Sequence, residues 1–414
     1  MKSIIKKYIV SILLLTAFQV NAQNQFLDSY IQTAIENNYG VQSQSQNIQA
    51  VAAEKEMIKG QGSGNLEVMY GYGVSPIETR NGPLNHKISA GIMLPWFGTR
   101  STKYQVVDQK VTLAQNQKKI AENNIRYSVR ATYFKMIQNK KDLSSARENL
   151  DILKSFENIA LTQYENSKGS MVDVLRVQME MEDANNKIES LMQDSLVLKQ
   201  QLDLVINKPI SDVQLVEQFQ FKSFDNAHLE ENPTLQSLAA SEQVVGAQMV
   251  TVNKAAAPQI KVSVDYGILG QPSGMSAEDA GKNTVMPMVG LSIPLFNQKK
   301  YSGQKEQLRM QQQTISLKKQ ETENVLKSEY LKVQNQLNDA QRDIKVIQSQ
   351  LGQIDQAIDI QQEAYTVAKP QGSEFLELLR LQIQRLNYQF KQHKAEQSQW
   401  EALAKLSFIE GVEE

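Results

Sequence analysis

The chain contains no cysteine. That excludes a disulfide framework, a thiol nucleophile, zinc–cysteine sites and a lipid-bearing cysteine at a mature N-terminus. Histidine is nearly as scarce: His86, His228 and His393 are all there are, too few for a histidine-rich metal centre. Neither sign of charge dominates. The 44 basic and 45 acidic residues leave a formal charge of −1, so the basic face a nucleic-acid binder needs is missing. Long apolar runs are missing as well. Mean hydropathy is negative, and beyond the first residues no stretch approaches the ~20 apolar residues of a membrane-spanning helix. A mature chain of this kind that crosses a membrane must cross it as β-strands. Catalytic signatures are also lacking. Gly60-Gln61-Gly62-Ser63-Gly64 has no P-loop lysine and no following helix, and there is no H-E-x-x-H, nucleophile elbow or paired catalytic carboxylates. Met286 and Met288 share a strand face, and Met179 and Met181 are close in sequence. Thioethers bind soft metals, but methionine more often fills gaps. No enzyme activity, no cofactor and no metal site are expected.

What is present begins with a secretory signal. Lys2, Lys6 and Lys7 precede an apolar segment from Tyr8 to Phe18, and Val20-Asn21-Ala22 offers a small-residue cleavage site. Residues 1–22 therefore read as a signal peptide, too short for a spanning anchor. The rest of the chain is written twice. Asn38 to Ser43 matches Asn232 to Ser237, and Leu66 to Gly73 matches Ile260 to Gly267, both at an offset of 194. Gly91 to Gly98 matches Gly290 to Asn297 at an offset of 199. Gly169-Ser170 with Asp173 to Gln178 matches Gly372-Ser373 with Glu377 to Gln382. Four matches in one order define a tandem duplication. The first repeat covers 23–207 and the second 231–414, with a linker over 208–230.

Each repeat runs helix, strand, strand, long helix, turn, helix. Leu66, Val68, Tyr70 and Tyr72 alternate with Glu67, Met69, Gly71 and Gly73. Ile88, Ala90, Ile92, Leu94 and Trp96 line one face of the next segment, and Ile260 to Tyr266 and Val289 to Leu295 repeat the pattern. A period of two predicts strands over about 65–75, 86–97, 259–269 and 285–296, joined by turn-rich connections. About ten residues is the length a tilted strand needs to cross a bilayer. The same pattern also fits a half-buried hairpin in a soluble sheet. Trp96, Phe97 and Phe296 sit at the strand ends, where a membrane interface favours aromatics. Long helices follow over about 99–165 and 300–369, and return helices over about 171–206 and 374–408. Their apolar residues step by three and four, as in Tyr330, Val333, Leu337, Ala340, Ile344 and Ile347. That period predicts coiled-coil packing. In the first long helix Glu157 breaks the frame.

Strands in a bilayer must close into a barrel, since an open edge strands unpaired backbone groups in hydrocarbon. Four strands are too few where known barrels have about eight or more. The chain must therefore share its barrel with sister subunits.

The double unit, the strand exits Gly91 to Phe97 and Gly290 to Phe296, and the Gly-Ser turns followed by Asp173-Val174-Leu175 and Glu377-Leu378-Leu379 resemble the TolC-type outer membrane efflux proteins. The resemblance covers essentially the whole mature chain. It implies a mainly α fold with a transmembrane β-barrel contribution: a homotrimer with a twelve-strand barrel in outer membrane lipid and a long periplasmic α-helical barrel. The implied partners are a periplasmic adaptor protein and an inner-membrane pump, of tripartite efflux or type I secretion. The chain's length and lack of a long C-terminal tail are similar to the heavy-metal-efflux branch, with drug efflux close behind. Lys168, Gly169, Ser170, Gln371, Gly372 and Ser373 would form the adaptor-contacting hairpin tips. Relatives carry acidic rings just past the second tip, at the position of Glu377, with Asp173 its repeat counterpart. Here Arg176 and Arg380 follow three residues on, which predicts Asp173–Arg176 and Glu377–Arg380 contacts at the entrance. The alternative is a periplasmic adaptor, against which two complete strand–helix units argue. An extracellular structural coiled coil would not need membrane-length strand pairs.

Overall fold

The computed structural model describes residues 25–61, 65–217, 219, 221, 229–271, 281–294, 297–367 and 372–411. The expected signal peptide, Phe296, Gln371 and part of the linker lie outside the described residues. In chain order the elements are α1 (Gln25–Asn37), α2 (Tyr39–Gln61), β1 (Leu66–Thr79), β2 (Gly82–Leu94), α3 (Thr99–Glu165) and α4 (Met171–Ile206). A short 3-10 turn (Leu229–Glu231) leads into α5 (Pro233–Ala255), β3 (Gln259–Leu269), β4 (Thr284–Ser292), α6 (Gln298–Val367) and α7 (Gly372–Glu410). The matched elements keep the sequence offsets. Both α2 and α5 have 23 residues, and they start 233 − 39 = 194 apart. Helices α3 and α6 start 298 − 99 = 199 apart.

The single helix expected before β1 is two helices. Asn38 separates them, and its Oδ1 accepts hydrogen bonds from the Gly40 and Val41 amides at 2.8 and 3.3 Å. An asparagine there caps the new helix because its side chain satisfies amides that lack a partner in the first turn. The repeat counterpart Asn232 stands before Pro233, the residue type suited to a first helical position.

The chain forms two compact units that do not coincide with the repeats. One takes residues up to Ser43, Lys119–Pro233 and those from Glu323 onward; the other takes Gln44–Lys118 and Thr234–Thr322. Each draws on both repeats. The first unit is helical. Its main core joins Leu27, Ile31 and Ala34 of α1 to Val129, Tyr133, Phe134 and Ile137 of α3, with Leu202 and Ile206 of α4. The linker packs onto this core through Val213, Leu215, Phe219 and Phe221. Two tyrosine hydroxyls hold it there. Tyr133 donates to the Gln214 carbonyl at 2.8 Å and accepts from the Val216 amide at 2.9 Å, and Tyr30 accepts from the Gln214 amide at 3.0 Å. A second cluster sits where α3, α4, α6 and α7 meet, built from the heptad positions Leu153, Val174, Val177, Ile354, Ile358 and Leu379. The frame-breaking Glu157 accepts a hydrogen bond from Gln178 Nε2 at 2.8 Å, which satisfies a polar group in an apolar seam.

The second unit holds one antiparallel sheet in the order β1-β2-β3-β4. The hairpins of the two repeats thus join into one sheet through β2 and β3. The first two strands extend further toward each other than the expected bounds of about 65–75 and 86–97: β1 runs to Thr79 and β2 starts at Gly82. After Tyr72 pairs with His86, the next pair is Ile77 with Leu84. Residues 73–76 therefore bulge opposite Asn85 alone. Pro76, which has no amide to donate, is tolerated inside such a bulge. The hairpin closes instead at Arg80-Asn81, and Gly82 takes φ 126°, a conformation closed to most side chains.

Candidate functional site

The sheet has two chemically distinct faces. Pairing aligns residues in rows across the strands: Leu66–Ile92–Val262–Val289, then Val68–Ala90–Val264–Pro287, then Tyr70–Ile88–Tyr266–Val285. Leu94, Ile260 and Leu291 form a row at one end, and Tyr72, His86 and Ile268 a row at the other. Every one of these positions is apolar or aromatic except His86. Alternation places Glu67, Lys87, Ser89, Lys261, Ser263, Asp265 and Thr284 on the opposite face.

On the two central strands burial is inverted relative to a soluble sheet, while β1 and β4 are exposed on both faces. On β3 the apolar Val262, Val264 and Tyr266 are exposed, while Ser263 and Asp265 are buried at 8% and 5% exposure. Ser89 of β2 is buried too, beside exposed Ile88. Water-soluble sheets bury the apolar face. A wall between lipid and a wet lumen does the reverse. From Leu94 to His86 is eight residues, about 27 Å along a strand at ~3.4 Å each. A tilt of about 40° shortens that to about 20 Å along the membrane normal, close to the apolar band of transmembrane barrels.

Aromatics bound this band at both ends. At one end Trp96 and Phe97 pack edge to face with ring centroids 5.9 Å apart. At the other, the Tyr70 hydroxyl lies 2.9 Å from His86 Nδ1, and Tyr72 is 5.1 Å from the same ring. Asn283 Nδ2 donates to the Tyr266 hydroxyl at 2.7 Å. The sequence reading missed this second girdle, because its tyrosines fall inside the strands rather than at their ends. It also missed the charge pairing on the polar face. Lys87 of β2 pairs with Asp265 of β3, and Lys261 of β3 reaches Glu67 of β1 at 3.1 Å. Gly91 lies between those last two strands' charges, and a Cβ there would meet Ser263 Cβ at 2.7 Å. Among the described residues β1 and β4 each have one edge with no partner strand.

The hairpin tips belong to the helical unit. After α3, Ser167 takes φ 57°, and the Lys168 and Gly169 amides donate to the Gln163 carbonyl at 2.8 and 3.1 Å. Lys168 and Ser170 are exposed. Ser170 caps α4, accepting from the Val172 amide at 3.1 Å, and the Asp173 carboxylate accepts from the Ser170 amide at 3.3 Å. That capping box corrects the expected Asp173–Arg176 contact: Asp173 is buried at 9% exposure and its carboxylate serves the helix start. Gly372 opens α7, and the Ser373 side chain lies outside the described residues. The Glu377–Arg380 pair does form, at 3.7 Å and largely exposed. Arg176 and Arg380 come together, lining with Met179, Glu180, Leu376 and Leu379 a cleft of about 660 Å³ between α4 and α7. Burial, with help from Asp183, pushes the Glu180 carboxyl above its ordinary range.

Elsewhere in the helical unit, Lys141 pairs with Glu396 at 2.8 Å and Glu217 at 3.3 Å, and lies 5.4 Å from the Trp400 ring centre. Burial pulls its pKa down, but the two carboxylates more than offset that and raise it. His393 Nδ1 lies 2.8 Å from Asp142 beside it. Among the described residues no helix is long and apolar enough to cross a membrane, and no group of three or more His, Asp or Glu could hold a metal ion.

No protein-family model matches the sequence, and no curated protein matches it. Solved structures do share its architecture. CusC, whose crystal structures concern conformational changes accompanying folding and transmembrane channel formation, aligns with a TM-score of 0.73 at 13% identity, over 93% of this chain and 92% of that one. This chain has the fold of a transmembrane channel protein. The outer membrane protein VceC of Vibrio cholerae aligns at TM-score 0.72 and 13% identity, over 94% and 98% of the two chains. The open state of the MtrE outer membrane channel of Neisseria gonorrhoeae aligns at 0.70 and 13%, over 93% and 89%.

Proposed function

We propose that this chain is a subunit of an outer membrane channel that serves as the exit duct of a tripartite efflux pump or a type I secretion system. The observation that carries the reading is the inversion on the central strands, where Val262, Val264 and Tyr266 are exposed while Ser89, Ser263 and Asp265 are buried, together with the exposed apolar rows of β1 and β4 and two open edges. In a bilayer the open edges are tolerable only if β4 of one subunit pairs with β1 of the next. A trimer closes 3 × 4 = 12 strands, within the range of known barrels, which have about eight strands or more. The apolar rows then meet outer membrane lipid, and the charge-paired face lines the lumen. The heptad-patterned helices stand in the periplasm, where their tips contact an adaptor that links the duct to an inner-membrane pump. The duct is passive and carries no catalytic group.

Glu377, Arg380 and Arg176 are the residues proposed to shape the entrance, with Asp173 holding the cap of α4 beside them. Reconstitution into planar bilayers tests the whole reading. The purified chain should insert as a trimer, sediment with outer membrane and resist salt extraction. A salt-extractable monomer without conductance would refute it. Glu377→Ala and Arg380→Ala should change single-channel conductance; unchanged conductance would remove the entrance assignment and leave the channel.

A further inference from the structure

The junctions β2–α3, α5–β3 and β4–α6 all leave the sheet at one end, where Leu94 stands across from Ile260 and Gln259 across from Ser292. Each junction carries basic residues and no acid. Arg100 and Lys103 follow β2, Lys254 precedes β3, and Lys299, Lys300 and Lys305 follow β4. Along α3 and α6 the first acids are Asp108 and Glu306, and these pair with Lys55 and Arg309. Among the described residues no ion pair answers Arg100, Lys254, Lys299 or Lys300, and all four are exposed. Gly98 takes φ 80° where β2 turns into α3, and Lys254 Nζ lies 3.9 Å from the position a Cβ on Gly98 would take. Lys254 thereby lies over the turn that joins the Trp96–Phe97 pair to Arg100. The connections at the other end of the sheet, 73–85 and 270–283, carry no such excess: Glu78, Glu278 and Asp279 stand against Arg80 and Lys282. Charge is therefore asymmetric along the strands. Cations crowded on one rim repel one another unless an anion lies among them.

We infer that Arg100, Lys254, Lys299 and Lys300 form a basic belt at the helix-side rim of the sheet that binds the headgroup phosphates of anionic phospholipids in the leaflet it faces. The belt begins just past the last apolar row, Leu94, Ile260 and Leu291, and beside Trp96 and Phe97, the level at which aromatics mark the headgroup layer. Long basic side chains reach phosphates from there while their stems stay on apolar surface, and their hydrogen bonds to phosphate are charge-assisted. An acidic soluble partner fits less well, because the same rim borders the band that faces lipid in the proposed channel. The inference rests on the channel reading.

The test reconstitutes the full-length chain into phosphatidylcholine vesicles containing brominated phosphatidylglycerol or, separately, brominated phosphatidylcholine, and reads the quenching of tryptophan fluorescence. Trp96 reports the rim, since Trp400 packs in the aromatic cluster of the helical unit. Phosphatidylglycerol should be preferred at least about fivefold, the effect of one basic residue near an anionic surface. The Arg100→Gln/Lys254→Gln/Lys299→Gln/Lys300→Gln variant should quench alike with both lipids. Equal quenching of the native chain by the two lipids overturns the belt, as does a preference that the variant keeps. Inorganic phosphate that abolishes the preference where chloride at the same ionic strength does not would assign the residues to a free anion and overturn the lipid reading. If the variant does not assemble, salt decides on the native chain. The preference should vanish toward about 1 M, where screening acts within ~3 Å, and a salt-insensitive preference overturns the belt. A conducting, extraction-resistant trimer without lipid preference removes only this inference. Failure to insert removes the channel reading instead.

Discussion

Val68 and Met69 are neighbours on β1 whose side chains leave opposite faces of the sheet. Both are open to solvent in the isolated chain, at 64% and 54% exposure. Neither position is buried within the subunit, so a soluble sheet would accept a lysine at both alike. A barrel would not. Val68 lies in the middle apolar row with Ala90, Val264 and Pro287. A lysine facing lipid at mid-bilayer costs about 2–4 kcal/mol. Three copies per barrel bring this to about 6–12 kcal/mol, or at least about four factors of ten in the assembly equilibrium. Met69→Lys faces the lumen, where water remains available, and should insert much as the native chain does. The assay is the fraction of protein that resists extraction as trimer after refolding into vesicles. Val68→Lys should fall well below both Met69→Lys and the native protein. Equal insertion of the two variants, or a greater loss with Met69→Lys, would refute the assignment of the faces.

Other expectations concern the lumen, the linker and acid. Replacing Lys87 by Met strips Asp265 of its ion-pair partner and, in the proposed trimer, removes three positive charges from beside three carboxylates; the cation-to-anion permeability ratio in planar bilayers should rise, and adding Asp265→Asn should return it. Tyr133→Phe leaves the Gln214 carbonyl and the Val216 amide without their hydroxyl partner. At about 1–3 kcal/mol for an unsatisfied buried group, the Val216 amide should lose hydrogen-exchange protection while the fully buried ring keeps the core intact. Burial tends to raise the Asp203 carboxyl, but Lys199 and the Ile210 amide outweigh it and hold its pKa below the ordinary value. A depressed folded pKa gives stability that is present above the unfolded value, about 3.9, and is lost as pH falls through the folded one. Exchange at the Ile210 amide should accordingly accelerate on acidification through that window, and Asp203→Asn should abolish the pH dependence.

The elements were legible because their periods are written locally. Alternation of Leu66, Val68, Tyr70 and Tyr72 gives a strand directly, and the three–four stepping of α6 gives a coiled-coil seam whose Tyr330, Val333, Ala340, Ile347, Ile354 and Ile358 are buried. Boundaries were less legible. Ser75-Pro76 is turn chemistry, and only the register beyond Tyr72 reveals a bulge after which the strand resumes at Ile77. The tip was ambiguous for a related reason. Asp173 stands three residues from both Ser170 and Arg176, so a capping box and a salt bridge fit the same spacing. The cap prevails because amides at a helix start have no other internal partner, whereas a surface i,i+3 ion pair contributes only a few tenths of a kcal/mol. The Lys141 cluster left no local trace, since Glu217, Glu396 and Trp400 reach it from far along the chain.

The face inversion lay beyond the sequence in principle. Alternation states which residues share a face but not which face is covered. A soluble hairpin and a barrel wall with the same strands differ only in which side the chain buries. Here the buried side carries Ser89, Ser263 and Asp265. The central strands cover Ser89, Ser263 and Asp265 and leave Val262 and Val264 exposed, so the protein interior is not what covers the apolar rows. Burying those rows in water would need a second apolar layer over the sheet, yet Leu66, Val68, Tyr70, Val285, Val289 and Leu291 are all 62% exposed or more. In the proposed channel, lipid is the solvent that would make this arrangement stable without such a layer.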